Sequence, residues 1–188
     1  THLNTHSVYS KMNGLLSLSD LIDLCKTSFM NKMALTDING LWGFIRFVQT
    51  AHQKKISPIA GSNIITTSDE AVILVENQSG YENLCRIISH VHRNSDQSIN
   101  QIIKDRCSGL FFLSHSENTL HSLKKIVPNS HLFIELRPGL QEKSIHDLSR
   151  KLKLEIIVTG DVYFKLKSDH STHVTLRAIH YNTTKYDL

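Results

Sequence analysis

Short β-branched, apolar segments alternate along this chain with longer segments whose apolar residues recur at helical spacing, and that alternation most restricts the fold. It is the pattern of an α/β architecture. Met33 to Thr36, Ser57 to Thr66, Ala71 to Glu76, Gly109 to Leu113, His131 to Leu136 and Leu154 to Thr159 read as strands, and His2 to His6 as a polar first strand. Between them, Ser19 reads as an N-cap before a helix with Leu21, Leu24, Cys25 and Phe29 on one apolar face. Further helical faces are Leu41, Phe44, Ile45 and Val48; Tyr81, Leu84, Ile87, Ile88 and Val91; Leu120, Leu123, Ile126 and Val127; and Ile145, Leu148 and Leu152. A last helix is expected over Ser168 to His180, and Asn94 to Asn100 reads as a surface loop. Seven strand candidates with helices between them fit a closed or nearly closed seven-stranded (β/α) barrel, in which chemistry sits where strands end and loops begin.

The chain has 188 residues and no internal repeat or Pro/Gly-rich linker, so one domain over 1–188 is the economical reading. A domain of this size buries roughly 70% of its unfolded surface and folds without disulfides. No apolar run approaches the ~20 residues of a membrane span, and Thr1 to Ser10 carry no signal-peptide pattern, so a cytoplasmic location with no membrane contact is expected. Cys25, Cys85 and Cys107 are far apart and form no Cys-x-x-Cys pair, which argues against a zinc ribbon or a thioredoxin-like site. The net charge of +4 is scattered, compatible with a nucleic-acid partner without selecting one.

Four polar clusters fall at the expected carboxyl ends of strands: His2 to Ser7, Thr36 to Asn39, Gly61 to Asn63 and Thr159 to Tyr163. By residue type alone each also fits a loop-capping Asx turn. Their order and spacing, however, resemble the PHP domain (polymerase and histidinol phosphatase domain) of bacterial DNA polymerase III alpha subunits. His2-Leu-Asn-Thr-His-Ser-Val-Tyr-Ser-Lys-Met-Asn-Gly14 is similar to that family's opening motif, and Ala34-Leu-Thr-Asp-Ile-Asn-Gly40 to its Ala-Leu-Thr-Asp-His-Gly segment. Ile56 to Gly61, Gly80 to Leu84, Phe133-Ile-Glu-Leu136 and Val158-Thr-Gly-Asp-Val-Tyr-Phe164, followed by Asp169, His170 and His173, continue the match in order.

In metal-binding members of that family, His, Asp and Glu side chains at these strand ends form a hydrolytic cluster of zinc-type ions. Carried over position by position, the resemblance implies a rim of Asn4, His6, Asn13, Asp37, Ile38, Asn63, Asp161, Tyr163 and His173 from which most metal ligands are lost. Asn4 stands for a His, Asn13 for an Asp, Ile38 for a His, Asn63 for a Glu and Tyr163 for a His. His6 and Asp161 remain as a residual, weak metal pair, too few for a stable site of three or four protein ligands. His115 is a candidate extra ligand or an exposed loop histidine, while His90, His92, His121, His146, His170 and His180 read as surface residues on helices.

The resemblance thus implies a mainly structural amino-terminal PHP domain of a longer polymerase in DNA replication or repair synthesis. No cofactor is expected here, magnesium belonging to the polymerase palm, with DNA met through the parent polypeptide. Replisome proteins such as a proofreading exonuclease or sliding clamp are the implied partners. The alternatives are a free-standing metal-dependent phosphoesterase, which the reduced ligand set disfavours, and a pure binding module.

Overall fold

The fold is that of a computed structural model describing residues 1–94 and 96–187. Its frame is a curled sheet of six strands in chain order: β1 (Lys32–Leu35), β2 (Ser57–Ile65), β3 (Glu70–Val75), β4 (Leu110–Ser114), β5 (Leu132–Leu136) and β6 (Ile156–Val158). β1 runs parallel to β2, with Ala34 opposite Ile59, and β4, β5 and β6 are mutually parallel. β3 is antiparallel to both neighbours, so strict β/α alternation is interrupted by a hairpin. Its turn is held by the Thr66 N–H donating to Asp69 O at 2.9 Å.

Among the described residues seven helices flank the sheet: α1 (Leu18–Thr27), α2 (Phe44–Gln53), α3 (Gln78–Val91), α4 (Ile99–Ile103), α5 (Glu117–Leu123), α6 (Glu142–Leu152) and α7 (His170–Tyr181). The α1 cap is Ser17 rather than Ser19, in a reciprocal box with Asp20. Phe29 lies beyond this helix in a left-handed conformation (φ 54°), 98% exposed, and takes no part in its apolar face. On α2 the buried residues are Phe47 and Ala51, whereas Ile45 faces out and Leu41 precedes the helix. The expected loop Asn94 to Asn100 runs into α4, whose Ile99, Ile102 and Ile103 are fully buried; Ser95 lies outside the described residues. Cys25 is buried, Cys85 and Cys107 are half-buried, and all are free thiols.

The sheet separates two apolar regions, and the period-2 alternation of β5 shows how. Leu132 and Ile134 join the large core beneath α3 to α6, while Phe133 packs with Ala34, Val72, Leu74 and Leu113 on the concave side. Each full burial of such a side chain stabilises the fold by about 1.5–3 kcal/mol. A third cluster, with Leu21, Ile22, Met33 and Phe47, seats α1 and α2 on β1.

The expected seventh strand, His2 to His6, is not a ladder strand. It makes isolated bridges on two sides, His2 with Met33 and Thr5 with Val162, and the His6 N–H donates to Val162 O at 2.8 Å. The physical reason is competition from side chains: the Thr5 N–H donates to Thr36 Oγ1 at 2.8 Å instead of a ladder carbonyl. This polar segment lies between β1 and the chain after β6, joining the ends of the curled sheet and carrying Asn4 and His6 to its mouth.

Candidate functional site

Above the concave apolar plug, inward positions turn polar. Continuing the β5 alternation from Phe133, Glu135 and then Arg137 are the next inward residues. Glu135 is 1% exposed, and its Oε1 accepts from Thr159 Oγ1 at 2.6 Å and Asn4 Nδ2 at 2.9 Å. Asn4 Nδ2 also lies 3.2 Å from Asp161 Oδ1, and Asn4 Oδ1 accepts from Thr36 Oγ1 at 3.1 Å. One amide thus faces two carboxylates whose chain positions are far apart.

The Arg137 guanidinium sits at the centre of the rim. Its Nη1 is 3.0 Å from Glu70 Oε1 and 3.4 Å from Asp161 Oδ2, and Nη2 is 3.2 Å from His115 Nε2. Because Arg only donates, His115 Nε2 accepts, placing the ring proton on Nδ1, 4.0 Å from Glu135 Oε2. His115 is therefore part of this network, half-buried, rather than a free loop residue.

These contacts set the charge states. Burial alone would raise Asp161, but His6, Arg137 and Tyr163 outweigh it and hold the carboxyl below its ordinary value. Burial likewise opposes ionisation of Glu70, yet Asn63, Arg137 and His115 depress it on balance. For Glu135 burial prevails over its donors, and its pKa rises. His115 is lowered by burial and then by Arg137, so it is held toward the neutral ring. Burial, with Asp161 and Glu70 nearby, pushes the Tyr163 phenol up, which keeps it protonated.

His6 is fully buried and stacks on Tyr163, with ring centroids 4.2 Å apart and planes within 1°. Its Nδ1 is 3.3 Å from Ser10 Oγ; among the described residues Nε2 has no hydrogen-bond partner, its contact with Asp161 Oδ1 being 3.6 Å. Tyr163 in turn meets His173 at 5.2 Å, and His173 Nδ1 donates to Asn13 O at 2.8 Å. Arg177 donates to Asn13 Oδ1. Ile38 lines the mouth, and Asn63 Nδ2 donates to Glu70 Oε1 at 3.1 Å.

Asp37 departs from the expected rim. It is 1% exposed and accepts from the Ser7 N–H and Ser7 Oγ, both at 2.8 Å, and from Ser10 Oγ at 2.6 Å. It clamps the first loop from beneath and does not line the cleft. His92 and His180, expected on plain helix surface, do line it. Sequence reasoning passed over Glu70, Arg137, Lys11 and Arg177 altogether; inward alternation in β5 was the signal that could have found Arg137.

Of the expected positions, Asn13, Ile38, Asp161 and Tyr163 line one cleft of about 880 Å³ at the mouth of the sheet, and Asn4, His6, Asn63 and His173 lie behind it, each against a lining residue. The carboxylates already receive Asn4 and Arg137, and among the described residues no three His, Cys, Asp or Glu side chains are grouped to hold a metal ion.

Comparison with known proteins agrees with this architecture. Curated relatives include the DNA polymerase III subunit alpha of Buchnera aphidicola subsp. Acyrthosiphon pisum, 28% identical over 207 residues, covering 92% of this chain and 18% of that protein. The DNA polymerase III subunit alpha of Pasteurella multocida is 25% identical over 219 residues, covering 99% of this chain and 19% of that protein. The chain thus spans about a fifth of the length of the relatives it matches. A solved structure from Bifidobacterium adolescentis, described as a metal-dependent phosphoesterase, superposes with TM-score 0.56 at 10% identity over 87% of each chain, a likeness of fold. The model of the PHP domain matches residues 2–133, and this chain belongs to the PHP domain family.

Proposed function

We propose that this PHP domain is the amino-terminal module of a DNA polymerase III alpha-like polypeptide acting in DNA replication or repair synthesis, and that its own rim is structural rather than hydrolytic. Similarity over nearly the whole chain to alpha subunits supports the first part. The single observation that carries the second is Arg137, whose fixed positive charge lies between Glu70 and Asp161. A guanidinium there supplies the countercharge that bound cations would otherwise supply, and it cannot activate water as a metal does. Of the positions matched to the family's ligands above, His6 and Asp161 keep a strong donor, and the neighbouring Glu70, Glu135 and His115 are engaged by Arg137, Asn4 and Thr159. Magnesium chemistry, DNA contacts and replisome partners such as a proofreading exonuclease or sliding clamp belong, on this reading, to the whole polypeptide.

Elemental analysis of the chain purified without chelator, beside a phosphatase assay with added manganese, tests the reading. The expected result is substoichiometric metal and no turnover above buffer. More than one metal equivalent per chain, or turnover abolished by His6→Ala, would favour the phosphoesterase instead.

A further inference from the structure

Helix α7 walls one side of the cleft, through Arg177, His180 and Tyr181, yet has almost no share in the core. Of its 12 residues only Ala178 is buried, and none joins the apolar clusters that seat α1 to α6 on the sheet. By contrast α3 buries Leu84, Ile87, Ile88 and Val91, and α6 buries Ile145, Leu148 and Leu152. Ile179 and Tyr181, the larger apolar side chains of the last turn of α7, are 60% and 56% exposed.

The attachments of α7 are polar, and two of them converge on one residue. His173 Nδ1 donates to Asn13 O at 2.8 Å, and Arg177 donates to Asn13 Oδ1. The two donors are four positions apart and therefore share one helix face. Ring contacts with the preceding segment add to this: His173 lies 5.2 Å from the Tyr163 ring and 5.4 Å from that of Phe164. The chain enters α7 through residues 165–168, all exposed, by a turn in which Asp169 Oδ2 accepts from the Leu166 N–H at 2.9 Å. An exposed turn of this kind can act as a hinge.

Left to itself α7 is a poor helix. Isolated helices shorter than about 12–15 residues are marginal in water, and β-branched Thr172, Val174, Thr175 and Ile179 lower its propensity further. With no apolar face in the core, its helical state depends on docking. The anchor itself is firm: the Asn13 and Gly14 N–H groups both donate to Ser10 O at 2.9 Å, and Ser10 Oγ is held by buried Asp37. We propose that α7 is a latch, which folds as it docks on Asn13 and undocks and unfolds as one unit while the rest of the domain stays folded. Opening takes His173 off Tyr163, and so controls how far solvent reaches that ring and the His6 ring stacked on it. The latch goes beyond the structural role proposed above and stands or falls separately from the polymerase assignment.

Native-state hydrogen exchange of the 188-residue chain, read by mass spectrometry at several low urea concentrations, tests this directly. Amides of α7 should exchange through an opening of lower free energy than those of α3. That opening should also depend only weakly on urea, because undocking one helix exposes little surface, whereas α3 should follow the steep dependence of global unfolding.

Asn13→Ala alters no residue of α7 and removes the acceptor of Arg177, so any change in the helix reports docking rather than propensity. Exchange in α7 should quicken by about tenfold, as expected for the loss of one hydrogen bond to a charged group, with α3 nearly unaffected. In the same variant His173 should react faster with diethyl pyrocarbonate, followed peptide by peptide. If Asn13→Ala loses its native circular dichroism, Arg177→Gln carries the same test from the other side of the contact. Equal free energy and urea dependence for α7 and α3 would overturn the latch. So would unchanged α7 exchange or His173 reactivity in the folded variant, or a loss of protection spread evenly over both helices.

Discussion

Arg137 and Asp161 approach within 3.4 Å at the mouth of the sheet, one two positions along from Glu135 and the other just beyond β6. The same guanidinium nitrogen reaches Glu70 at 3.0 Å, so one cation ties three parts of the rim together. Both carboxylates are mostly shielded, with side chains 28% and 19% exposed for Glu70 and Asp161.

Arg137→Ala should therefore destabilise the domain by about 2–4 kcal/mol, since removing one partner of a shielded pair leaves its charges uncompensated. Urea unfolding followed by circular dichroism measures this. Added zinc or manganese should then raise the melting temperature of the variant more than that of the native chain, because the freed carboxylates can accept a cation. Equal metal responses would show that Arg137 does not occupy a cation's place.

The pH dependence has a definite sign. Asp161 and Glu70 sit below their ordinary values in the folded state, because their partners outweigh the opposing effect of burial. In the acid window the unfolded chain binds more protons, so their contribution is present above about pH 4 and is lost as pH falls through the folded values. Asp161→Asn should flatten the acid limb of a stability profile. Glu135, raised chiefly by burial, acts oppositely: its contribution falls as pH rises from its ordinary value through its folded one. Glu135→Gln should gain stability relative to native at neutral pH compared with its effect near pH 4. Parallel profiles for all three proteins would refute both assignments.

Asn4→Asp replaces the amide that donates to Glu135 and Asp161 with a third carboxylate. A loss of about 2–4 kcal/mol at neutral pH is expected, from two lost hydrogen bonds and like-charge repulsion. The loss should shrink as the introduced carboxyl protonates, which chemical denaturation at several pH values would reveal. A pH-independent loss would point to packing instead.

Asp37→Ala separates a clamp from a site residue. It removes the acceptor for three hydrogen bonds from Ser7 and Ser10, leaving the Ser7 N–H unpaired in a buried loop. The expected cost is about 2–4 kcal/mol in denaturant unfolding. Where the variant remains folded, its Trp42 emission should match that of the native chain, because Trp42 lines the cleft and Asp37 does not; a selective shift of that emission would place Asp37 at the mouth.

Local periodicity was enough to locate most elements from sequence. Ile145, Leu148 and Leu152 recur at helical spacing and do form the buried face of α6, and the alternating residues of β5 do divide between two apolar regions. The order of the polar strand ends pointed to the family without any coordinates. Side-chain competition was less visible: Thr5 gives its N–H to Thr36 Oγ1, and His2 to His6 consequently makes bridges rather than a strand. The direction taken by loop residues was also not local information. Asp37 turns under Ser7 and Ser10, while Arg137 turns inward to Glu70 and Asp161, because these choices depend on contacts between segments 24 to 67 positions apart. Hydrophobic spacing along one element fixes which face is buried, but the charge balance of a cleft is decided only when the ends of several strands meet.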